Sequence, residues 1–356
     1  MAFKKEFEKL LAETSISSES SNEEYCAVWK RINELLHPNI PQQLFRFRTC
    51  NLENFMTFQN GEISTCVAHA FSDKYDSLVY VNKRELEEKL REFTQFDTLL
   101  SIINNEEFCG FLTALIGKEC IEQARKEAML YSKEEWTERN AYKVEQVIEH
   151  VFIQINTNIN NVRNDPFNRV ACFSEDITMP HMWDTYANGH KGFALEYDFR
   201  DFHNRGCWVC SENLICKNTK RNYSHLFPVI YTNKRYDATD NVISLVLRSL
   251  LLNWGFDKCL PIDQLYWYKP YLYKNAKSYA HEKEWRLLSH CPIHDTSKYA
   301  NIPDCGTLKA IYYGADIEKR HKDFLHEVAK GKKIQEYEMY IDPYSPNFEI
   351  NIRPYE

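Results

Sequence analysis

Hydrophobic residues near the N-terminus recur at intervals of three and four positions, the spacing that places side chains on one face of an α-helix. This spacing predicts a helix over residues 3–13. It predicts a second helix with Trp29 and Leu36 on its apolar face, ended by Pro38. We therefore expect residues 1–40 to form an N-terminal helical arm.

The same helical spacing dominates the segment from residue 83 to residue 160. We expect this segment to be a helical insertion between strands of a sheet. Further helices are predicted over residues 182–188, 240–254, 264–280 and 316–329.

Other segments alternate between apolar and polar residues, the period of a strand with one buried face. The first is Leu44–Arg48, in which Arg46 and Arg48 share one face. Because helices alternate with strands that each keep a polar face, we predict an α+β fold with a split, mixed or antiparallel sheet, spanning residues 41–356. The remaining predicted strands are 170–174, 193–197, 229–231, 284–288, 308–313 and 334–341.

Composition removes several classes of function. The chain has 356 residues, 44% of them hydrophobic and 27% charged, which is enough to bury a sizeable core. Its 44 basic and 51 acidic residues give a net charge of −7, which argues against a protein that wraps a nucleic-acid backbone. The chain has ten glycines and no GxGxxG motif, so the Rossmann and P-loop classes are disfavoured.

The N-terminal segment is charged and has no apolar run, and no stretch approaches the roughly 20 apolar residues of a membrane helix. Twelve cysteines in a chain of this length and mixed composition favour reduced thiols over a secreted disulfide scaffold. We expect a soluble, cytoplasmic protein with no membrane partner.

Three separate predicted strands each carry a polar face opposite an apolar one. If these faces lie side by side, they form a cleft that contains cations, a hydroxyl group and paired carboxylates. The residues concerned are Arg46, Arg48, Cys172, Ser174, Glu282, Glu284 and Arg286.

This set suits cleavage of the nicotinamide–ribose bond of NAD. A carboxylate near the ribose stabilises the positive charge that develops in the transition state, and arginines pair with the diphosphate in fork geometry. The alternative is a surface sheet whose Arg–Glu ion pairs are each worth about 0–1 kcal/mol.

Three blocks of the sequence also carry a resemblance to a known family. They are LFRFRT (44–49), CFSED followed by MWDTYANGHKGFALEY (172–197), and YAHEKEWRLL (279–288). They resemble the recurring blocks of a bacterial family named domain of unknown function 2971. This resemblance implies a phage-defence or toxin-like role.

The order of the polar residues is similar to the R-S-E layout of ADP-ribosyltransferases. That resemblance implies an ADP-ribosyltransferase-like fold that uses NAD as substrate and passes ADP-ribose to a protein, a nucleic acid or water. It makes Glu284 catalytic, gives Glu282 the acceptor, lets Ser174 orient the substrate, and assigns the phosphates to Arg48 and Arg46. The chain departs from the usual Ser-Thr-Ser, since Ser174 stands in Phe-Ser-Glu.

The block after Ser174 offers four more ligand-binding candidates. Trp183 and Tyr186 lie three apart on a predicted helix and share a face, so they form a cleft wall with a ring for stacking. His190 and Lys191 follow on a turn, where they contact a phosphate or the acceptor. For Trp183 the alternative is a place in the core.

Other chemistries remain open. A non-catalytic nucleotide-sensing module and a metal-independent ribonuclease using His190, His281 and the arginines are the alternative functions. Cys172 is a less favoured nucleophile. The aromatic stretch 266–274 has two interpretations. One is a surface that stacks nucleic-acid bases. The other, which we favour, is part of a helix packed on the sheet.

One cysteine cluster could bind zinc. Cys207, Cys210 and Cys216, with His203, resemble a zinc-binding set, but a single CxxC is a weak signal. We favour reduced loop cysteines and predict no metal site.

Overall fold

The computed structural model describes most of the chain. The described residues are 2–17, 20–93, 95–104, 113, 117–158, 163, 165, 168–201, 224–251, 263–290, 297–347 and 349–356. The helices are α1 (Ala2–Glu13), α2 (Asn22–Leu36), α3 (Leu52–Asn60), α4 (Lys83–Phe93), α5 (Phe96–Ile103), α6 (Lys118–Leu130), α7 (Lys133–Asn158), α8 (Pro180–Tyr186), α9 (Thr239–Leu251), α10 (Ala276–Tyr279) and α11 (Lys319–Lys332).

The strands are β1 (Leu44–Arg48), β2 (Glu62–Cys66), β3 (Val79–Tyr80), β4 (Asn168–Ser174), β5 (Phe193–Asp198), β6 (Ser224–Pro228), β7 (Ile230–Thr232), β8 (Tyr236–Asp237), β9 (Tyr273–Asn275), β10 (Glu284–His290), β11 (Tyr299–Pro303), β12 (Thr307–Tyr313), β13 (Gln335–Tyr340) and β14 (Asn351–Pro354). The class is therefore α+β, as expected.

Ten of the described strands form one mixed sheet, in the order β11-β2-β4-β1-β5-β12-β13-β14, with β10 on β4 and β6 on β10. Its pairs are antiparallel except β12 with β13, which run parallel. The α11 helix connects these two strands, as a parallel crossover requires. The expected mixed sheet is thus confirmed.

The sheet divides where β1 and β2 share the same edge of β4. The opposite edge of β4 pairs with β10 over its whole length. On the shared edge, Ser174 pairs with Phe45 of β1, whereas Val170 pairs with Cys66 of β2. The two strands therefore approach β4 at opposite ends, and we call the gap between β1 and β2 the split.

The N-terminal helices pack directly on this sheet. The ring of Phe7 in α1 stacks on Phe227 of β6, with 6.1 Å between the ring centroids. Trp29 of α2 is buried in the same hydrophobic cluster as Phe7 and Phe227. A capping box between Ser21 and Glu24 starts α2, because each side chain accepts from the backbone N–H of the other residue. The apolar stripes that predicted these helices are the faces that the sheet covers.

The described part of the insertion is helical, as α4, α5, α6 and α7, in agreement with the sequence. None of the helices in the described ranges has the length and hydropathy needed to span a bilayer. The six cysteines within those ranges are free thiols.

The helix predicted over residues 264–280 is wrong. The segment forms two 3₁₀ turns, Gln264–Trp267 and Lys269–Leu272, followed by β9 and the short α10. Pro270 has no N–H for a helical hydrogen bond, and Tyr273–Asn275 pairs with β7 instead. This irregular path carries Lys274 to the candidate site.

Candidate functional site

The end of β4 brings two of the expected site residues into one row. Ser174 pairs with Glu284 of β10 on one side and with Phe45 of β1 on the other. Residues paired in register point to the same face of a sheet. Ser174 and Glu284 are therefore neighbours on one face, as the sequence predicted.

Ser174 is fully buried and holds backbone groups. Its hydroxyl donates to the carbonyl of Glu282 at 2.7 Å and accepts from the N–H of Asp176 at 3.2 Å. These bonds fix the turn after β4 against the turn before β10. The serine thus positions Glu282, and its side chain is closed to a ligand in this structure.

Glu284 is a buried carboxylate with two cationic partners. Lys274 Nζ lies 2.8 Å from Oε2 and Arg286 Nε lies 2.8 Å from Oε1. Burial alone raises the pKa of a carboxyl, but Arg286 and Lys274 outweigh it and lower the pKa of Glu284 to about 2. Glu284 is therefore ionised at neutral pH.

Glu282 shares the same lysine. Its Oε2 accepts from Lys274 Nζ at 2.6 Å, and its Oε1 accepts from the hydroxyl of Tyr186 at 2.8 Å. Between the two glutamates, Lys283 adopts the left-handed conformation with φ of 47°. Burial and the neighbouring Glu282 raise the pKa of Tyr186, so the phenol remains a donor.

Arg286 completes this charged group. Its guanidinium pairs with both oxygens of Asp76, at 2.8 and 2.5 Å, and donates to the carbonyl of Tyr271 at 2.6 Å. Burial opposes the charge, but Asp76 and Glu284 raise the pKa of Arg286. We call Asp76, Lys274, Glu282, Glu284 and Arg286 the carboxylate cluster; three anions and two cations give it a net charge of −1.

The arginines of β1 lie elsewhere. Because Phe45 faces the same side as Ser174, alternation places Arg46 on the opposite face, where its guanidinium lies 5.4 Å from the ring centre of Phe173. Both Arg46 and Arg48 reach across the split and donate to Ser64 of β2. The expectation that all three polar faces join in one surface is therefore wrong for the arginines.

Neither member of this arginine pair forms an ion pair with a carboxylate of the described residues. Arg46 is buried, and its Nη1 has no hydrogen-bond partner. Burial lowers the pKa of Arg46, while burial and then the charge of Arg46 lower the pKa of Arg48 to about 9. Both shifts reflect an electrostatic cost of holding the two guanidinium charges here, and Arg48 with a pKa of about 9 is charged at neutral pH.

Trp183 belongs to the core. Its ring is fully buried, its Nε1 donates to the carbonyl of Ile177 at 2.7 Å, and Phe47 packs edge-on against it at 5.1 Å. The indole cannot stack on a ligand, so the cofactor-binding role expected for Trp183 is wrong. Tyr186, on the same helix, does reach Glu282.

His190 and Lys191 lie on the turn after α8. The Nε2 of His190 is 3.2 Å from Asp184 Oδ1, and its ring stacks on Trp183 at 6.2 Å. His190 has a φ of 61°, and Lys191 is exposed. His281 packs instead against His181, so the two histidines of the ribonuclease alternative belong to different clusters.

His181 and His281 meet Glu282 at the edge of the carboxylate cluster. One potential ligand atom from each residue lies within 4.8 Å of those of the other two. The imidazole rings meet edge-to-face at 4.5 Å, and burial followed by His181 lowers the pKa of His281. We call these three residues the histidine corner.

Of the cysteine candidates, Cys172 lies within the described residues and the others lie outside them. Burial and Glu284 raise the pKa of Cys172 well above its usual value, so a thiolate nucleophile is disfavoured. Residues His203, Cys207, Cys210 and Cys216 lie outside the described residues, and their zinc hypothesis stays a prediction.

Several residues of the site were missed by the sequence reasoning. Lys274 falls in the stretch predicted as part of a helix packed on the sheet, and Asp76 and Ser64 lie in segments without a clear pattern. His181 directly precedes the block that begins at Met182, and His281 lies in the block YAHEKEWRLL, a hundred residues later. Their contact depends on the tertiary fold.

Residues 182–287 match the family described as protein of unknown function, DUF2971. The DUF2971 match begins in α8 and ends in β10, so it includes Tyr186, Lys274, Glu282, Glu284 and Arg286. It supports the family resemblance that the sequence blocks indicated, over this part of the chain. No curated protein and no solved structure gives a significant match to the chain.

Proposed function

We propose that the protein binds a nucleotide that contains a diphosphate, with the phosphate groups on Arg46 and Arg48 in the split. One observation carries this proposal. The buried guanidinium of Arg46 and the half-buried one of Arg48 converge on Ser64, and neither has an ion-pair partner in the described part of the chain. A diphosphate would neutralise both.

The energetics favour an anionic ligand. A buried charge without a partner costs several kcal/mol, and two like charges on one serine add repulsion. Arginine forks match phosphate oxygens in bidentate geometry. The Nη1 of Arg46 is unpartnered and buried, and Arg48 is half-buried, so the pair is reached from solvent through Arg48.

NAD is the nucleotide favoured by the R-S-E resemblance, and the strand order supports the choice. Arg48 is on β1 and Glu284 is on β10, with β4 between them. Two strand spacings amount to about 10 Å, a distance that a dinucleotide spans. Arg48 and Glu284 lie on opposite faces of the sheet, so one NAD molecule would reach both residues only by passing through the split.

A second candidate function is ADP-ribosyl transfer, favoured by Glu284 being ionised next to Ser174. In that reaction the C–N bond between ribose and nicotinamide breaks, and nicotinamide leaves with the bonding electron pair. The oxocarbenium centre is then attacked by an acceptor, which loses a proton. Glu284 would stabilise the positive charge, and Glu282 would take the proton of the acceptor. Both carboxylates accept a hydrogen bond from Lys274 in this structure, and each would have to release that bond before it could act on a substrate.

Isothermal titration with ADP and NAD tests the binding proposal. We expect binding by the wild-type chain and at least tenfold weaker binding by R48Q, because a charge-assisted hydrogen bond is worth about 1.5–3 kcal/mol. R48K should retain part of the affinity. R353Q is the matched control, since Arg353 is exposed on β14. Equal affinity in R48Q and R353Q would contradict the proposal.

Release of nicotinamide from NAD tests the transfer candidate separately. We expect release by the wild-type chain and by E327Q, an exposed control on α11, and its loss in E284Q. NAD binding without release in any of the three proteins would leave the binding proposal standing and reject the transfer.

A further inference from the structure

We propose that His181, His281 and Glu282 bind a divalent transition-metal ion, and that zinc is the ion this donor set suits best. Two imidazoles and one carboxylate are a known zinc-ligand combination that leaves a fourth position open. The ligand atoms of the histidine corner lie within 4.8 Å of one another, so small side-chain rotations would bring all three to the roughly 2 Å of zinc coordination. This inference does not depend on nucleotide binding.

One ring nitrogen of His281 lacks a partner. Its Nε2 is buried and has no hydrogen bond. A buried nitrogen without a partner loses its interactions with water, and coordination would restore one. His181 lies opposite on α8 and is exposed, so the corner is open to solvent on that side.

Glu282 retains capacity for a metal. Its two oxygens offer about four acceptor positions, and the structure uses one for Tyr186 and one for Lys274. These two donors also fix the orientation of the carboxylate, as the outer groups of metal sites commonly do. The cluster's net charge of −1 favours a cation at its edge, although Lys274 lies close to it.

Cobalt(II) titration of the chelator-treated, full-length chain tests the inference by visible absorption. We expect one ion per chain, with the ligand-field bands of nitrogen and oxygen ligation, and competition by zinc. H181A and H281Q should weaken binding at least tenfold. H321A is the matched control. His321 is a half-buried histidine of α11 that packs against Phe55 of α3, away from the histidine corner.

Three results would overturn the inference. These are no stoichiometric binding, equal affinity in H181A and H321A, or a thiolate-to-cobalt charge-transfer band that persists in the histidine variants. The last result would assign the ion to cysteines, which prefer soft metals. If H281Q fails to fold by circular dichroism, H181A decides the question, since His181 is exposed.

Discussion

Replacing Arg286 by methionine should be among the most damaging single changes in the sheet. Arg286 is fully buried and joins Asp76 to Glu284. Methionine fills much of the same volume but leaves both carboxylates buried, with Lys274 as the remaining cation of the cluster. The net charge of the cluster changes from −1 to −2.

The expected loss follows from the cost of an unpaired buried charge. Removing one partner of a buried ion pair destabilises a protein by about 3–5 kcal/mol. Unfolding entropy of about 2.1 cal/mol/K per residue gives roughly 0.75 kcal/mol/K for a chain of 356 residues. The R286M variant should therefore melt about 4–7 °C below the wild type.

R46M is the matched comparison, because Arg46 is also buried in this sheet but has no carboxylate partner there. Its removal relieves the cost of a buried, unpaired charge but also removes the hydrogen bonds to Ser64, so we expect a free energy of unfolding no more than about 1 kcal/mol below that of the wild type. Differential scanning calorimetry without nucleotide measures both variants. Equal destabilisation by R286M and R46M would refute the distinction between a structural cluster and a ligand-binding arginine pair.

Two further changes test local packing. S174A removes the hydroxyl that holds the Glu282 carbonyl, and should cost about 1–3 kcal/mol in urea denaturation; no loss would show that this bond is unimportant. G192A should prevent soluble expression or cause a large drop in Tm, because its Cβ would lie 2.1 Å from the carbonyl oxygen of Arg48. G331A, with open space around it near the end of α11, should instead gain about 0.5–1 kcal/mol, and destabilisation there would contradict the reasoning.

The sequence pattern predicted those elements whose two faces differ in polarity. β1 was predicted with its observed bounds, because its arginines alternate with apolar rings. β2, β11 and β14 are among the strands that were not predicted, since their apolar and polar residues do not alternate clearly. The stretch 264–280 was predicted as a helix, but Pro270 and the pairing of Tyr273–Asn275 with β7 interrupt it.

The relative position of the strands was beyond the pattern. Alternation shows which residues share a face within one strand, but the pairing register decides which faces coincide between strands. Phe45, not Arg46, is the partner of Ser174, and this offset of one residue moves both arginines to the opposite face. The histidine corner likewise joins residues a hundred positions apart, which no local spacing reveals.

The most direct measurement is a crystal structure of the full chain with bound ADP. We predict phosphate oxygens within hydrogen-bond distance of the guanidinium groups of Arg46 and Arg48, with the diphosphate between β1 and β2. A diphosphate bound at any other surface, while the arginine pair keeps its present contacts with Ser64, would contradict the proposed function.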